Sequence, residues 1–153
     1  KPSSAASDVY KRQAYADGLI DYECVAQGTL AERLRAAGSG LGGFFTPTGY
    51  GTLLAQGKET RVIKGVGYVF EEPLHADYAL VKAYRADPLG NLVYRKAGRN
   101  FGPLMCMASA TAIVQVHALA EVGGLDPEHI VTPGIFVQRV LRIPDAQLTG
   151  ALQ

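Results

Sequence analysis

The sequence is poor in the features that disclose a function most quickly. It holds only two cysteines, Cys24 and Cys106, far apart in the chain. Their separation fits neither a disulfide framework nor a metal-ligand spacing, so free thiols in a reducing cytosol are expected. His75, His117 and His129 are scattered, with no two at ligand spacing, and no metal centre is expected. No apolar run approaches the roughly 18 residues needed to span a bilayer. The formal net charge is +1, spread over mixed charges without a block of one sign. Nucleic acid and anionic membranes are therefore poor partners, and small neutral or weakly anionic ligands better ones. The glycines between Gly38 and Gly51 do not open with the dinucleotide GxGxxG pattern after a strand. Gly57-Lys58 is followed by Glu59 where a phosphate loop requires Ser or Thr, which disfavours nucleotide hydrolysis.

What remains is a chain of 153 residues, a length that suits one domain or a piece of one. Residues 1–13 (KPSSAASDVYKRQ) are polar and lack the apolar core of a secretory signal. They resemble translated read-through of a sequencing-library adapter, so the expectation is a non-native or disordered leader, with 14–153 forming the domain. The apolar alternation of Leu19–Val25 predicts a strand ending before Gln27. Thr29 and Glu32 have capping-box spacing, and Gly38 stands where a left-handed stop would end a helix over Leu30–Ala37. Phe44–Thr46 predicts a short strand and Pro47–Gly51 a turn, giving a strand–helix–strand unit.

Further on, Arg61–Ile63 and Tyr68–Glu71 flank Lys64–Gly67 as a peripheral hairpin. Asp77–Tyr84 is apolar and continuous, as a central parallel strand covered on both faces would be. A turn over Asp87–Asn91 precedes a strand at Leu92–Arg95. Pro103 starts a helix to about Ser109, followed by a buried strand at Thr111–Val116. Asp126 caps a short helical turn, and Ile135–Val140 supplies a last strand. The alternation predicts an α/β fold whose mixed, mostly parallel sheet is flanked by helices.

Several stretches resemble one family, the A-type subunits of the 3-oxoacid CoA-transferases. They are Gln27–Arg33, Phe45–Gly49 with Gly51-Thr52, Gln56–Glu59, His75–Asp77, Ala86-Asp87 with Gly90-Asn91, Arg99–Phe101, Leu125–Pro127 and Thr132–Val137, in family order. The wording of His75–Asp77, Arg99–Pro103 and Val131–Arg139 is most similar to the 3-oxoadipate CoA-transferase branch. Three departures stand out: Ala26 where the family has proline, Leu41-Gly42-Gly43 in place of an apolar Ile-Pro-Ala, and Gly98 in place of alanine. The family's N-terminal strand and helix have no counterpart before Ala14, so a fragment that is unstable and inactive alone is expected.

The resemblance implies ping-pong transfer of CoA from succinyl-CoA to a 3-oxo acid, 3-oxoadipate in cytoplasmic aromatic breakdown. It implies a heteromer with a B-type subunit, which carries the nucleophilic glutamate, and no metal or external cofactor beyond the CoA thioester substrate. Glu23, Glu32 and Glu72 of this chain lie outside the family's glutamate motif. Gln27 is the candidate for catalysis as an oxyanion donor or substrate-positioning amide, against the alternative of an amide satisfying local backbone. Gly28, Thr46, Gly49, Gly51 and Asn100 are candidates for the substrate and CoA cleft, Asn100 being alternatively a helix cap. Two other functions remain open: the A-type half of an acetoacetate or acetate CoA-transferase, and a non-catalytic α/β binding module.

Overall fold

Residues 109–116 alternate small or β-branched side chains with others, and a strand directs such alternate positions to one face. In the computed structural model, which describes residues 4–20 and 23–143, this segment is the middle strand of a parallel sheet. The elements in chain order are α1 (Ser4–Ala16), α2 (Gln27–Gly38), β1 (Phe44–Thr46), β2 (Thr60–Ile63), β3 (Val66–Glu71) and β4 (Ala76–Lys82). They continue with β5 (Arg85–Ala86), β6 (Leu92–Val93), α3 (Gly102–Ala108), β7 (Ser109–Val116), β8 (Ala118–Leu119) and β9 (Arg139–Arg142). Short 3-10 turns at Leu53–Ala55, Lys96–Arg99, Pro127–His129 and Gly134–Phe136 punctuate the connections.

The strands form three three-stranded sheets with orders β4-β7-β9, β1-β3-β2 and β6-β5-β8. The first is parallel throughout, with Leu80 opposite Ile113 and Val114 opposite Val140. Its crossover from β4 to β7 runs through α3, making this the βαβ unit of the molecule. Ala79, Val81, Ala112, Val114 and Val116 face Cys106 of α3 and Leu92 in the main core. A second cluster joins Leu34 and Ala37 of α2 to Ala108 of α3, with Leu74, Phe101 and Leu104 around it.

Several expected elements differ. Of the strand expected over Leu19–Val25, Asp21 and Tyr22 lie outside the described residues; among the rest, Leu19 and Ile20 are bends and Glu23–Val25 pairs with no described strand. A strand pattern needs a ladder partner, and β1 takes β3 instead, antiparallel, with the Phe45 and Phe70 rings 5.2 Å apart. The strand–helix–strand unit expected around α2 is therefore absent among the described residues. Among the described residues β4 is an edge strand rather than the centre, and Tyr78 and Leu80 are 68% and 75% exposed, so only one of its faces is covered there. The strand at Leu92–Arg95 shortens to β6. The last strand starts later than expected because Gly134 is held in a turn, its N–H donating to Asn91 Oδ1 at 2.9 Å. Residues 4–13, expected as leader, contribute to α1.

The capping box expected from Thr29 and Glu32 does not form. The helix begins at Gln27, with Ala26 as a cap lacking a side-chain bond and Leu30 N–H donating to the Ala26 carbonyl at 2.9 Å. Thr29 is buried in the first turn, and Glu32 turns to Arg35 at 2.7 Å. The helix stop also moves. Gly40, at φ +70, takes the left-handed position, while Leu41 N–H donates to Ala36 O at 2.9 Å and Gly40 N–H to Ala37 O at 3.2 Å. That pattern is a Schellman closure.

Gly38 has a different task, since a β-carbon there would overlap Met107 Cβ and sit 2.9 Å from the Met107 carbonyl carbon. The absent side chain lets α2 and α3 approach closely. Gly38→Ala gains about 1 kcal/mol in helix propensity but meets atoms that no rotamer can remove. We expect a net loss of about 1–2 kcal/mol by denaturant unfolding. Gly28→Ala, where a β-carbon meets open space, should cost nothing in the same measurement.

Candidate functional site

Gln27 is the first residue of α2, and its side chain is exposed. The backbone N–H groups of Gln27, Gly28 and Thr29 precede the first intrahelical bond, so they have no partner within the helix. They point out of the positive end of the helix dipole beside a neutral amide. Gly28 adds no side chain over them, and nothing lies within 4 Å of its β-carbon position. This end of α2 can donate several hydrogen bonds to an oxygen that gains negative charge, without presenting a cation. Ala26, at φ −61 and ψ 140, occupies backbone space that proline also occupies, so the departure from the family's proline leaves the approach to Gln27 unchanged.

Three further candidates, Thr46, Gly49 and Gly51, lie in or beside a tight turn after β1. Thr46 closes β1, its Oγ1 accepting from Thr48 N–H at 3.2 Å. Gly49, at φ +87, presents its carbonyl to the Thr52 hydroxyl at 2.7 Å and the Thr52 N–H at 3.1 Å. Gly51 also has positive φ, +73, which a side chain would strain. Asn100 follows the Lys96–Arg99 turn at φ +38 and is exposed. It does not cap α3, because Phe101 occupies that position without a side-chain cap bond.

An ion-pair network that the sequence pattern does not reveal ties α2 to β3. Arg33 donates to Glu23 at 3.1 Å and to the Glu72 carbonyl at 2.9 Å, while its own carbonyl accepts from Leu74 N–H at 3.0 Å. Lys58 donates to both carboxylate oxygens of the buried Glu71 at 2.9 and 3.0 Å. Lys58 is thus committed to a structural pair, consistent with its failure to complete a phosphate loop.

A cleft of about 510 Å³ opens at the carboxyl ends of β4 and β7, where open α/β sheets place their ligands. Lys82, which ends β4, lines it together with Tyr84, His117 after β7, and Tyr94, Arg95 and Lys96 from the loop before α3. None of the site candidates drawn from sequence is among its lining residues; Asn100 lies on the same loop, beyond Gly98. The only sequence signals for this cleft are a lysine closing an apolar strand and adjacent cations closing another.

Below it, the Tyr94 hydroxyl bonds the Thr132 hydroxyl at 2.9 Å, beside Cys106, which is 1% exposed. Burial pushes the Tyr94 hydroxyl from 10.0 up to about 12, the bond to Thr132 opposing the shift, and pushes the Cys106 thiol from 9.0 up to about 11. Both groups hold their protons more tightly when folded. Their contribution to stability is complete below the unfolded pKa values and is lost as pH rises through about 11 and 12. Unfolding free energy measured from neutral pH upward should therefore start to fall near pH 9 and continue falling through pH 11, losing on the order of 2 kcal/mol from the thiol alone. In the same samples the exposed Cys24 should react with a thiol reagent near neutral pH, and the buried Cys106 only after unfolding.

No helix of the described residues is long and apolar enough to cross a membrane. A coenzyme A transferase family model matches residues 3–142. The chain is 64% identical over 134 residues to the A-type subunit of the 3-oxoadipate CoA-transferase of Pseudomonas putida, an alignment covering 88% of this chain and 58% of that protein. It is 52% identical over 150 residues to the protein of the same name from Acinetobacter baylyi, covering 98% and 65%. The chain thus spans about three fifths of the length of these relatives. Among solved structures, the apoenzyme of an acyl-CoA transferase (YdiF) of Escherichia coli O157:H7 superposes with a TM-score of 0.78 at 19% identity, over 86% of this chain and 29% of that one. At that identity the superposition speaks for the fold alone.

Proposed function

The chain belongs to the coenzyme A transferase family, and from that premise we propose that it serves as the A-type subunit of a 3-oxoacid CoA-transferase. The reaction moves CoA from succinyl-CoA to a 3-oxo acid, 3-oxoadipate in aromatic breakdown, in the cytoplasm. The observation that carries this reading is the agreement of two relatives, at 64% and 52% identity, in being named as A-type subunits of 3-oxoadipate CoA-transferase.

The partner, a B-type subunit, supplies a glutamate carboxylate. That carboxylate attacks the thioester carbonyl and expels CoA thiolate, leaving a mixed anhydride. The thiolate then attacks the glutamyl carbonyl and releases succinate, and the resulting glutamyl-CoA thioester passes CoA to the second acid by the reverse steps. Each attack puts negative charge on a carbonyl oxygen. Gln27 Nε2 and the first N–H groups of α2, which have no partner within the helix, are the donors this chain offers to that oxygen. A neutral amide suits the task because both free acids are anions, and a cation there would hold the ground state as strongly as the transition state. Gly28, Thr46, Gly49, Gly51 and Asn100 are assigned in this proposal to the substrate and CoA surface of the assembled enzyme, separate from the cleft at the ends of β4 and β7, with no metal and no cofactor other than the CoA thioester.

Initial rates of the heteromeric enzyme test the reading. Varying succinyl-CoA at several fixed concentrations of 3-oxoadipate should give parallel double-reciprocal lines, with 3-oxoadipate used in preference to acetoacetate and acetate. Intersecting lines would exclude a covalent intermediate, and preference for acetate would exclude the proposed acceptor.

A further inference from the structure

We propose that the cleft at the carboxyl ends of β4 and β7 binds an oxyanion of the substrates, a carboxylate or a phosphate, through Lys82, Arg95 and Lys96. This rests on the transferase reading for the identity of the substrates, but the cleft itself argues for the charge they carry. No acidic side chain among the described residues lines it. Four cations elsewhere pair with acids, Arg33 at 3.1 Å, Arg35 at 2.7 Å, Lys58 at 2.9 Å and Arg61 at 2.8 Å, while others, such as Lys64 and Arg99, form no ion pair among the described residues. Lys82, Arg95 and Lys96 reach none among the described residues, although they converge on one opening. Like charges so placed repel one another until an anion enters.

The local structure holds that arrangement. The Arg95 guanidinium lies 5.5 Å from the Tyr84 ring centroid, and Tyr84 in turn packs against His117 at 6.0 Å. The cation–π contact holds the Arg95 guanidinium against a ring that itself lines the cleft, where it can meet a carboxylate or phosphate. Lys96 has φ +52, a conformation that lysine seldom adopts, and Asn100 on the same loop has φ +38. Strain of this kind collects where a loop is shaped for a ligand. The buried Ala83 and the rings of Tyr84 and Tyr94 add an apolar wall, and the volume of about 510 Å³ is in the range of small-molecule sites.

The oxyanion has two sources in the proposed reaction: the free carboxylate at the far end of a dicarboxylic acyl group, and the 3′-phosphate of CoA. In the heteromeric enzyme, the exposed double variant Arg95→Gln/Lys96→Gln, and separately Lys82→Gln, distinguish them. If the carboxylate binds here, the ratio of kcat/KM for 3-oxoadipate over acetoacetate falls about tenfold or more. If the phosphate binds here, the ratio for succinyl-CoA over its 3′-dephospho analogue falls by a similar factor. Calorimetric titration of the same enzyme with glutarate and with adenosine 3′,5′-bisphosphate should show the matching probe weakened in the variants and restored in part by Arg95→Lys.

Unchanged ratios and unchanged binding of both probes would overturn the proposal. So would variants that release the partner protein while both ratios hold, since the cleft would then be a contact between subunits. A wild-type enzyme that transfers no CoA, yet binds a probe through these cations, would sink the transferase reading and leave the anion site standing. Active transfer that is indifferent to all the variants would do the reverse.

Discussion

Gln27→Ala in the heteromeric enzyme lowers turnover at saturating substrate by roughly 10² to 10³, the loss typical of one oxyanion donor. The expectation follows from three facts about the position. The side chain is exposed at the first residue of α2, so its removal leaves no cavity. The helix start is closed by the Ala26 carbonyl accepting from Leu30 N–H at 2.9 Å, a bond that does not involve the glutamine side chain. Alanine is also the better helix former. Thermal stability of the variant should therefore match the wild type within about 0.5 kcal/mol, which separates a catalytic effect from misfolding. Because the donor serves an oxygen that is charged in the transition state, kcat and kcat/KM should fall together. Gln27→Glu should be worse than alanine, as it sets a carboxylate against the developing charge. Full turnover in Gln27→Ala would remove the residue from the mechanism.

The second large effect is structural. Leu92→Ala should lower stability by about 2–5 kcal/mol, the range for emptying a fully buried leucine position. Leu92 is 0% exposed in the main core. Its N–H donates to Thr132 O at 2.9 Å, and its carbonyl accepts from Val131 N–H at 3.0 Å. Both bonds hold the segment whose Thr132 hydroxyl meets Tyr94. Loss of the side chain leaves a void under the bridge between β6 and that segment, and the loop carrying Arg95 and Lys96 should loosen with it. Denaturant unfolding measures the main effect. Leu53→Ala, at a position 87% exposed, should stay within about 0.5 kcal/mol and serves as the control.

Local features of the fold are legible in the sequence where a short-range rule decides the outcome. The hairpin is one case, although its turn is the two residues Lys64 and Gly65, at φ +50 and +80, rather than the expected Lys64–Gly67, and Val66 and Gly67 pair within β3. Asp126 caps its helical turn by accepting from Glu128 N–H at 3.0 Å, and Pro103 sits in the first turn of α3. The strand character of β7 is equally plain. Sheet order is not, because β4 becomes an edge only through the long-range choice of β7 as the middle strand. Thr29 and Glu32 mislead because a spacing of three residues serves a capping box and a helix interior alike. Gly38 and Gly40 are both eligible to stop the helix, and only the approach of Met107 decides between their roles.

The candidate site divides in the same way. Gln27 and the turn from Thr46 to Gly51 are contiguous stretches that a family resemblance can locate. The cationic cleft draws on Lys82, on the Tyr94–Lys96 stretch and on His117, three separate stretches of chain. No local motif joins them, and the cleft exists only once β4 and β7 lie parallel with their carboxyl ends together.

In the proposed function this chain supplies the A-type half of a CoA-transferase site. The most direct measurement is CoA transfer from succinyl-CoA to 3-oxoadipate as the B-type partner is titrated with the protein that carries this chain. Neither protein alone should transfer CoA, and activity should rise to a plateau at equimolar sites. Transfer by the B-type partner alone at the plateau rate, or no transfer at any ratio with both proteins folded, would contradict it.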